Sequence, residues 1–320
     1  MKHFALTAVV AAGLGTAAVA ESWDMPTPYG DSTFHTQNIM QFAEEVKAAT
    51  NGGLEITIHS AGSLFPHGEI KNTVRSGQVP MGEFFLSQLV NEDAAFGLDS
   101  QPFVATSYDD AAALWAAQKP VITELLGKQG LMPLFSVPWP AQGLYTNGEI
   151  KTVADLNGLR FRAYNAALEE FAALAGAAPV QVEAPDIPQA FTTGQVEAMI
   201  TSPSTGANST AWDYVTHYTQ IDAWIPKNIV VVNMRSFRRL PEDVQAAVLS
   251  AAEAAEARGW EMSKAEASAK TQELADHGMI IVAPSAELTE GLKAIGDQMQ
   301  ANWRVNASDA ALSILDAVAK

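Results

Sequence analysis

The sequence predicts an α/β fold, built as one large domain or as two lobes. Three observations predict it. Segments of period-two hydrophobic alternation take turns with segments of helical periodicity along the chain from Ser22 onward. With 320 residues, 48% hydrophobic and 17% charged, the chain can build a large core and is too apolar to be disordered. From Glu242 to His277 there is no proline and one glycine, the pattern of an unusually long helix. The absence of cysteine excludes a disulfide framework and thiolate metal sites, and a core of this size needs neither.

The first twenty residues read as a secretory leader. Lys2 and His3 precede an apolar run, Phe4 to Leu14, too short for a stable bilayer anchor, and Ala18-Val19-Ala20 is a small-x-small cleavage site. Cleavage near Ala20/Glu21 is expected to release the rest into the periplasm. No later segment offers the roughly 18 apolar residues of a membrane-spanning helix. The formal net charge is −17, and losing Lys2 with the leader makes the remainder more negative still. Such a chain repels nucleic acid and anionic membrane surfaces, and an anionic ligand would need a locally positive pocket.

After the leader, Ser22–Met25 reads as a strand, closed by a turn at Pro26–Gly30. Residues 33–50 read as a helix: Ile39, Phe42, Ala43 and Val46 share a face, and Asn51-Gly52-Gly53 ends it. Leu54, Ile56 and Ile58 alternate with polar residues, as in a half-buried strand. A helix at 69–75 and a strand at 81–85 follow. Ser107 and Asp110 form a capping-box pattern for a helix over 108–127. Leu131–Val137 is a strand, ended by Pro138-Trp139-Pro140. A second αβ region is expected to place strands at 159–163, 179–182, 197–201 and 229–232, with helices at 164–175, 187–193 and 209–217. This alternation implies mainly parallel sheets with helices on both faces.

Pro241 suits the first position of the long helix and Gly278 its stop. Unbroken, it would measure roughly 55 Å and outreach a single lobe; two helices broken at Gly259 is the alternative. A strand at 278–284 and helices at 286–304 and 308–319 close the chain.

Motifs of catalysis are missing. Gly13-Leu14-Gly15-Thr16-Ala17-Ala18 imitates a dinucleotide fingerprint but lies in the leader. There is no HExxH, P-loop, GxSxG or EF-hand loop, so no cofactor or metal is expected. His59 and His67 could meet across a turn, but no third ligand stands at metal spacing. No nucleophile–base pair supports an enzyme, and a periplasmic enzyme acting on organic acids is the alternative to a binding protein.

Residues 154–205, ADLNGLRFRAYNAALEEFAALAGAAPVQVEAPDIPQAFTTGQVEAMITSPST, resemble the DctP-type solute-binding proteins of TRAP (tripartite ATP-independent periplasmic) transporters. The resemblance rests on Asp155-Leu156-Asn157-Gly158-Leu159-Arg160-Phe161-Arg162, on Pro188–Phe191, and on Gly194-Gln195-Val196-Glu197-Ala198. Residues 42–64 and 229–252 extend it over nearly the whole mature chain. It implies two αβ lobes with a ligand cleft between them, braced by a long helix that contacts both. Lobe I would be 21–140, with about 233–284 returning to it; lobe II would be 141–232 with part of the C-terminal helices 285–320. It further implies a monomer that captures a small organic acid and delivers it to small and large TRAP membrane subunits, with a signalling receptor as the other destination.

Arg160 and Arg162 share one face of a strand whose other face carries Leu159 and Phe161. Arg162 is nearer the carboxyl end, where open α/β sheets bind ligands, and a guanidinium matches a carboxylate bidentately. The resemblance implies that the carboxylate clamp is this last basic position, leaving Arg160 at the surface. Thr201 ends a strand where relatives often present an Asn to the ligand. Phe84 and Phe85 end the Met81 strand near a ligand contact of some relatives. Trp139 and Tyr145 lie at the crossing between lobes, and relatives with a second arginine carry it near Gln142. Each aromatic reads equally as core packing. No basic residue occurs from Gln129 to Ile150, which disfavours a dicarboxylate needing two clamps. A monocarboxylate with an apolar or aromatic body is therefore expected. A sugar acid, meeting Asn165, Gln142, Asp186 and Thr201, is its chief rival, with a dicarboxylate or sulfonate behind.

Overall fold

The computed structural model describes residues 21–318. The leader, 1–20, and the end of the helix expected at 308–319 lie outside the described residues.

β1 (Glu21–Pro26) and β2 (Leu54–His59) pair in parallel across α1 (Phe34–Ala49). Trp23, Met25 and Leu54 are buried against Phe34, Phe42 and Val46 of α1. α2 (His67–Ser76) precedes β3 (Met81–Phe85). α3 (Tyr108–Gly127) starts at a complete capping box, Ser107 and Asp110 each accepting the other's backbone N–H, and leads to β4 (Leu131–Pro138).

The chain then crosses into a second layered unit. It contains β5 (Gly143–Thr146), β6 (Arg160–Ala163), α4 (Ala166–Leu174), β7 (Ala178–Gln181), α5 (Ile187–Thr192), β8 (Ala198–Thr201), α6 (Pro203–Asn208) and β9 (His217–Thr219). A return crossing leads to β10 (Lys227–Asn233), α7 (Met234–Arg239) and α8 (Glu242–Asp276), then β11 (Ile280–Val282), α9 (Ala286–Asn306) and α10 (Asp309–Val318).

The sheets are mixed where mainly parallel ones were expected. β10 lies between β3 and β4 and is antiparallel to both; β5 is antiparallel to its neighbours β8 and β9 in the six-stranded sheet β11-β9-β5-β8-β6-β7. β5 and β10 are the first strands after each crossing, so they enter their sheets from the cleft side. The same geometry corrects the lobe limits read from sequence. β10, grouped there with lobe II, completes the three-stranded sheet of lobe I, and β11, grouped with lobe I, is the edge of lobe II's sheet. The crossings are laced together: Trp139 N–H donates to Pro226 C=O, and Gln142 and Ala223–Trp224 exchange backbone bonds of 3.0 Å.

Period-two alternation builds apolar layers on both faces of each sheet. Ile229 and Val231 of β10 face one core of lobe I, Val230 and Val232 the other. In lobe II, Phe161 and Ala198 face one core, Tyr145 and Met199 the other.

α8 is one unbroken helix of 35 residues, about 52 Å long. Val244, Val248 and Ala252 pack on lobe I, and Leu274 is buried in lobe II. Gly259 does not break it. A Cβ there would stand 2.4 Å from Val137 Cγ2 and 2.7 Å from Asn38 Nδ2, so glycine lets the helix lie against β4 and α1. The helix expected at 209–217 is instead α6, six residues earlier, followed by a short turn at 211–213 and β9. Ser202 Oγ caps α6 by accepting the Thr205 N–H, Pro203 sits at its first position, and Thr210 at φ 53° stops its continuation.

Candidate ligand-binding cleft

A narrow pocket lies at the crossing between the lobes. Tyr29, His67, Phe85 and Trp139 line it from lobe I, Gln142 from the crossing, and Arg162, Tyr164, Glu183, Ala184, Thr201 and Thr205 from lobe II. It leaves about 40 Å³ of open volume, room for about three waters.

Strand parity positions Arg162. Phe161 and Ala163 face a core, so Arg160 and Arg162 take the other face of β6. Arg160, at the strand's start, is exposed and pairs with Glu197 at 3.0 Å. Arg162, two residues on, is 3% exposed. Its Nε donates to Val182 C=O at 3.0 Å, and its guanidinium carbon lies 5.0 Å from the Tyr164 ring centroid. Its NH1 is buried with no hydrogen-bond partner, and no carboxylate lies within ion-pairing distance among the described residues. Burial lowers its pKa, and the charge of the Glu183 carboxylate opposes the shift; an arginine nonetheless stays charged. A buried cation with unsatisfied donors is costly unless an anion answers it.

Hydrogen bonds and ring contacts hold the walls in place. Trp139 Nε1 donates to Asn228 Oδ1 at 2.9 Å and the Tyr29 hydroxyl donates to the same atom at 3.3 Å. Asn228 Nδ2 in turn donates to buried Glu83 at 2.8 Å, which also accepts from Thr27. Gln142 is fixed at both ends, its Nε2 donating to Pro140 C=O and its Oε1 accepting from the Tyr164 hydroxyl. The Tyr29 and Trp139 rings meet edge to face at 5.0 Å, as do Phe85 and Tyr164 at 5.3 Å.

Two polar contacts span the cleft, Asn165 to Ser87 and His67 to Glu183. His67 Nε2 accepts the Phe85 N–H at 3.0 Å, so the ring proton of neutral His67 sits on Nδ1, which donates to Glu183 Oε2 at 3.3 Å. Burial works against ionisation of Glu183, but the His67 hydrogen bond and the Arg162 charge outweigh it and hold the carboxyl below its usual range.

The chain is matched over residues 27–306 by a family model, that of bacterial extracellular solute-binding proteins of family 7, DctP. The chain belongs to that family. DctP7 of Bordetella pertussis, an extracytoplasmic solute receptor binding pyroglutamic acid, is 44% identical with a TM-score of 0.93, over 94% of this chain and all of that one. A marine-metagenome TRAP solute-binding protein specific for pyroglutamate, from an unidentified microbe, is 40% identical with a TM-score of 0.91, over 94% of this chain and 99% of that one. A solute-binding protein of Albidiferax ferrireducens is 27% identical over 54% of this chain, which spans about half, 51%, of that relative's length. The family's members are extracytoplasmic receptors, and no helix among the described residues is long and apolar enough to cross a membrane.

Of the site residues read from this DctP-family sequence, the structure gathers Phe85, Trp139, Gln142, Arg162 and Thr201 in the cleft. It places four elsewhere. Phe84 points to the opposite face of β3 from Phe85, into the core under α2 and α3, because neighbours on a strand cannot share a face. Tyr145 is buried against Tyr218 at 4.6 Å, its hydroxyl donating to Ser202 C=O. Asn165 caps α4 through Oδ1 and donates to Ser87 Oγ at 2.8 Å, outside the pocket. Asp186 is exposed beside α5. His59 pairs with Asp24 at 2.7 Å, apart from His67 in the cleft.

Tyr29, His67, Tyr164, Glu183 and Thr205 were missed. Tyr164 and Glu183 follow the carboxyl ends of β6 and β7, where the rule that singled out Arg162 applies equally. Tyr29 and His67 lie in a turn and at a helix start that no local pattern ties to the cleft.

Proposed function

We propose that the cleft binds a small monocarboxylate of the pyroglutamate kind, with Arg162 clamping the carboxylate and both lobes closing over it. One observation carries this reading: Arg162 is a buried guanidinium with an orphaned NH1 and no carboxylate partner, at the floor of an aromatic-walled pocket. A single ligand carboxylate supplies what it lacks. Similarity of 44% and 40% to receptors that bind pyroglutamate supports the same class. The acid would then pass to TRAP membrane subunits from the periplasm, which cleavage near Ala20/Glu21 would allow the chain to reach.

The test is a thermal-shift screen of the mature chain, followed by calorimetry. Pyroglutamate, aromatic acids, C4-dicarboxylates, uronates and small sulfonates are compared at matched concentration. Pyroglutamate should raise the melting temperature most, as a ligand present at about a hundred times its Kd adds about 2.7 kcal/mol. Strong stabilisation by a dicarboxylate or a uronate, with none by any monocarboxylate, would refute the reading.

A further inference from the structure

The cleft holds one anion opposite its one arginine. Glu183 is the only acidic side chain lining the pocket among the described residues, and it forms no ion pair with Arg162. The Gln181 side chain bonds its carboxylate, and its Oε2 accepts from His67 Nδ1 at 3.3 Å. That donor is set by the Phe85 N–H on the other ring nitrogen, so His67 aims the carboxylate from across the cleft. Among the other side-chain acceptors of the pocket, Gln142 Oε1 already receives the Tyr164 hydroxyl and Thr205 Oγ1 accepts from Ser202 Oγ; neither carries a charge.

A pocket with a cation at one end and an anionic acceptor nearby suits a ligand with a carboxylate at one end and a hydrogen-bond donor beside it. It opposes a second ligand carboxylate, which would face Glu183 with like charge. The geometry points to Glu183 as the specificity-determining residue that accepts the ring N–H of a cyclic amide acid, with His67 as its positioning residue. This assignment rests on the reading of the cleft as a monocarboxylate site. Because His67 belongs to lobe I and Glu183 to lobe II, the acceptor is aimed only when the lobes are together, so recognition of the N–H is coupled to closure.

The test compares pyroglutamate with 3-oxocyclopentane-1-carboxylate, the same ring and carboxylate with CH₂ in place of N–H, by calorimetry on the mature chain. Wild type should bind the carbocycle about 10- to 100-fold more weakly, the range for a hydrogen bond to a charged acceptor. Glu183→Ala should bring that ratio toward one by weakening pyroglutamate alone. His67→Ala should lower the ratio too, whereas loss of a merely structural contact would weaken both acids alike. If wild type binds both acids equally, or Glu183→Ala leaves the ratio unchanged, the assignment is overturned while the monocarboxylate reading stands. If neither acid binds wild type, that reading fails and the assignment falls with it.

Discussion

Arg160 and Arg162 stand two residues apart on one face of β6 and meet opposite fates. The first is exposed and answered by Glu197; the second is buried and unanswered. Arg162→Ala should weaken acid binding by about 2–5 kcal/mol, since the ligand carboxylate would be buried without its partner. Arg160→Ala should leave the Kd nearly unchanged. Calorimetry on the two variants checks the contrast, and equal small losses would place the clamp elsewhere. Strand parity and direction put Arg162 at the ligand end of β6, and the family resemblance, not geometry alone, pointed to it as the clamp. Sequence could not separate Tyr145 from Trp139, because whether an aromatic faces a cleft or a core depends on which elements cover it. A second buried residue bears on pH. Lys227, at the return crossing, has its N–H on Asp99 Oδ2 at 2.9 Å and its ammonium 3.9 Å from the same atom. Burial pushes the Asp99 carboxyl up to about 6, against the pull of Lys227. The unfolded chain loses that proton near pH 4, so between about pH 4 and 6 the folded state binds more protons. Stability from this group is full below that window and is lost as pH rises through it. Urea denaturation should show wild type losing stability relative to Asp99→Asn from pH 4 to 6, then a constant difference above 7. Parallel curves would contradict the assignment.

The long helix shows how an element's sequence can mislead about its continuity. Gly259 suggests a break by propensity, since glycine costs about 1 kcal/mol in a helix. Its neighbours Val137 and Asn38 explain it instead, at 2.4 and 2.7 Å from where a Cβ would be. Gly259→Ala should therefore destabilise the protein by about 1–3 kcal/mol through overpacking, despite alanine's better propensity. Thermal denaturation reads this directly, and a raised melting temperature would contradict it. Elements with strong local signals were legible from sequence: the Ser107–Asp110 capping box of α3, the alternation of β2, the glycine stop after α1. Those set by tertiary context were not. β5 and β9, of four and three residues, are too short to show a period, and their places follow from the crossings. α6 was displaced because its signal, Ser202 before Pro203, reads as a turn as readily as a cap.

At the scale of the molecule, the lobes are joined by the laced segments at 139–142 and 223–226, by α8, and by the passage from α9 to α10. Contacts made only across the cleft are few, such as His67 to Glu183, Ser87 to Asn165 and the Phe85–Tyr164 ring pair. Such contacts are weak alone, so a ligand that touches both lobes should shift the balance toward closure. Small-angle scattering should show a smaller radius of gyration for the saturated protein than for the ligand-free protein, and identical profiles would count against closure. Whether one buried arginine in this cleft binds the carboxylate of a compact acid is answered by a crystal structure of the mature chain with pyroglutamate. The ligand carboxylate should lie within about 3 Å of the Arg162 guanidinium, NH1 included, with the ring among Tyr29, Phe85 and Trp139. A carboxylate bound away from Arg162, with that guanidinium still unpaired, would contradict it.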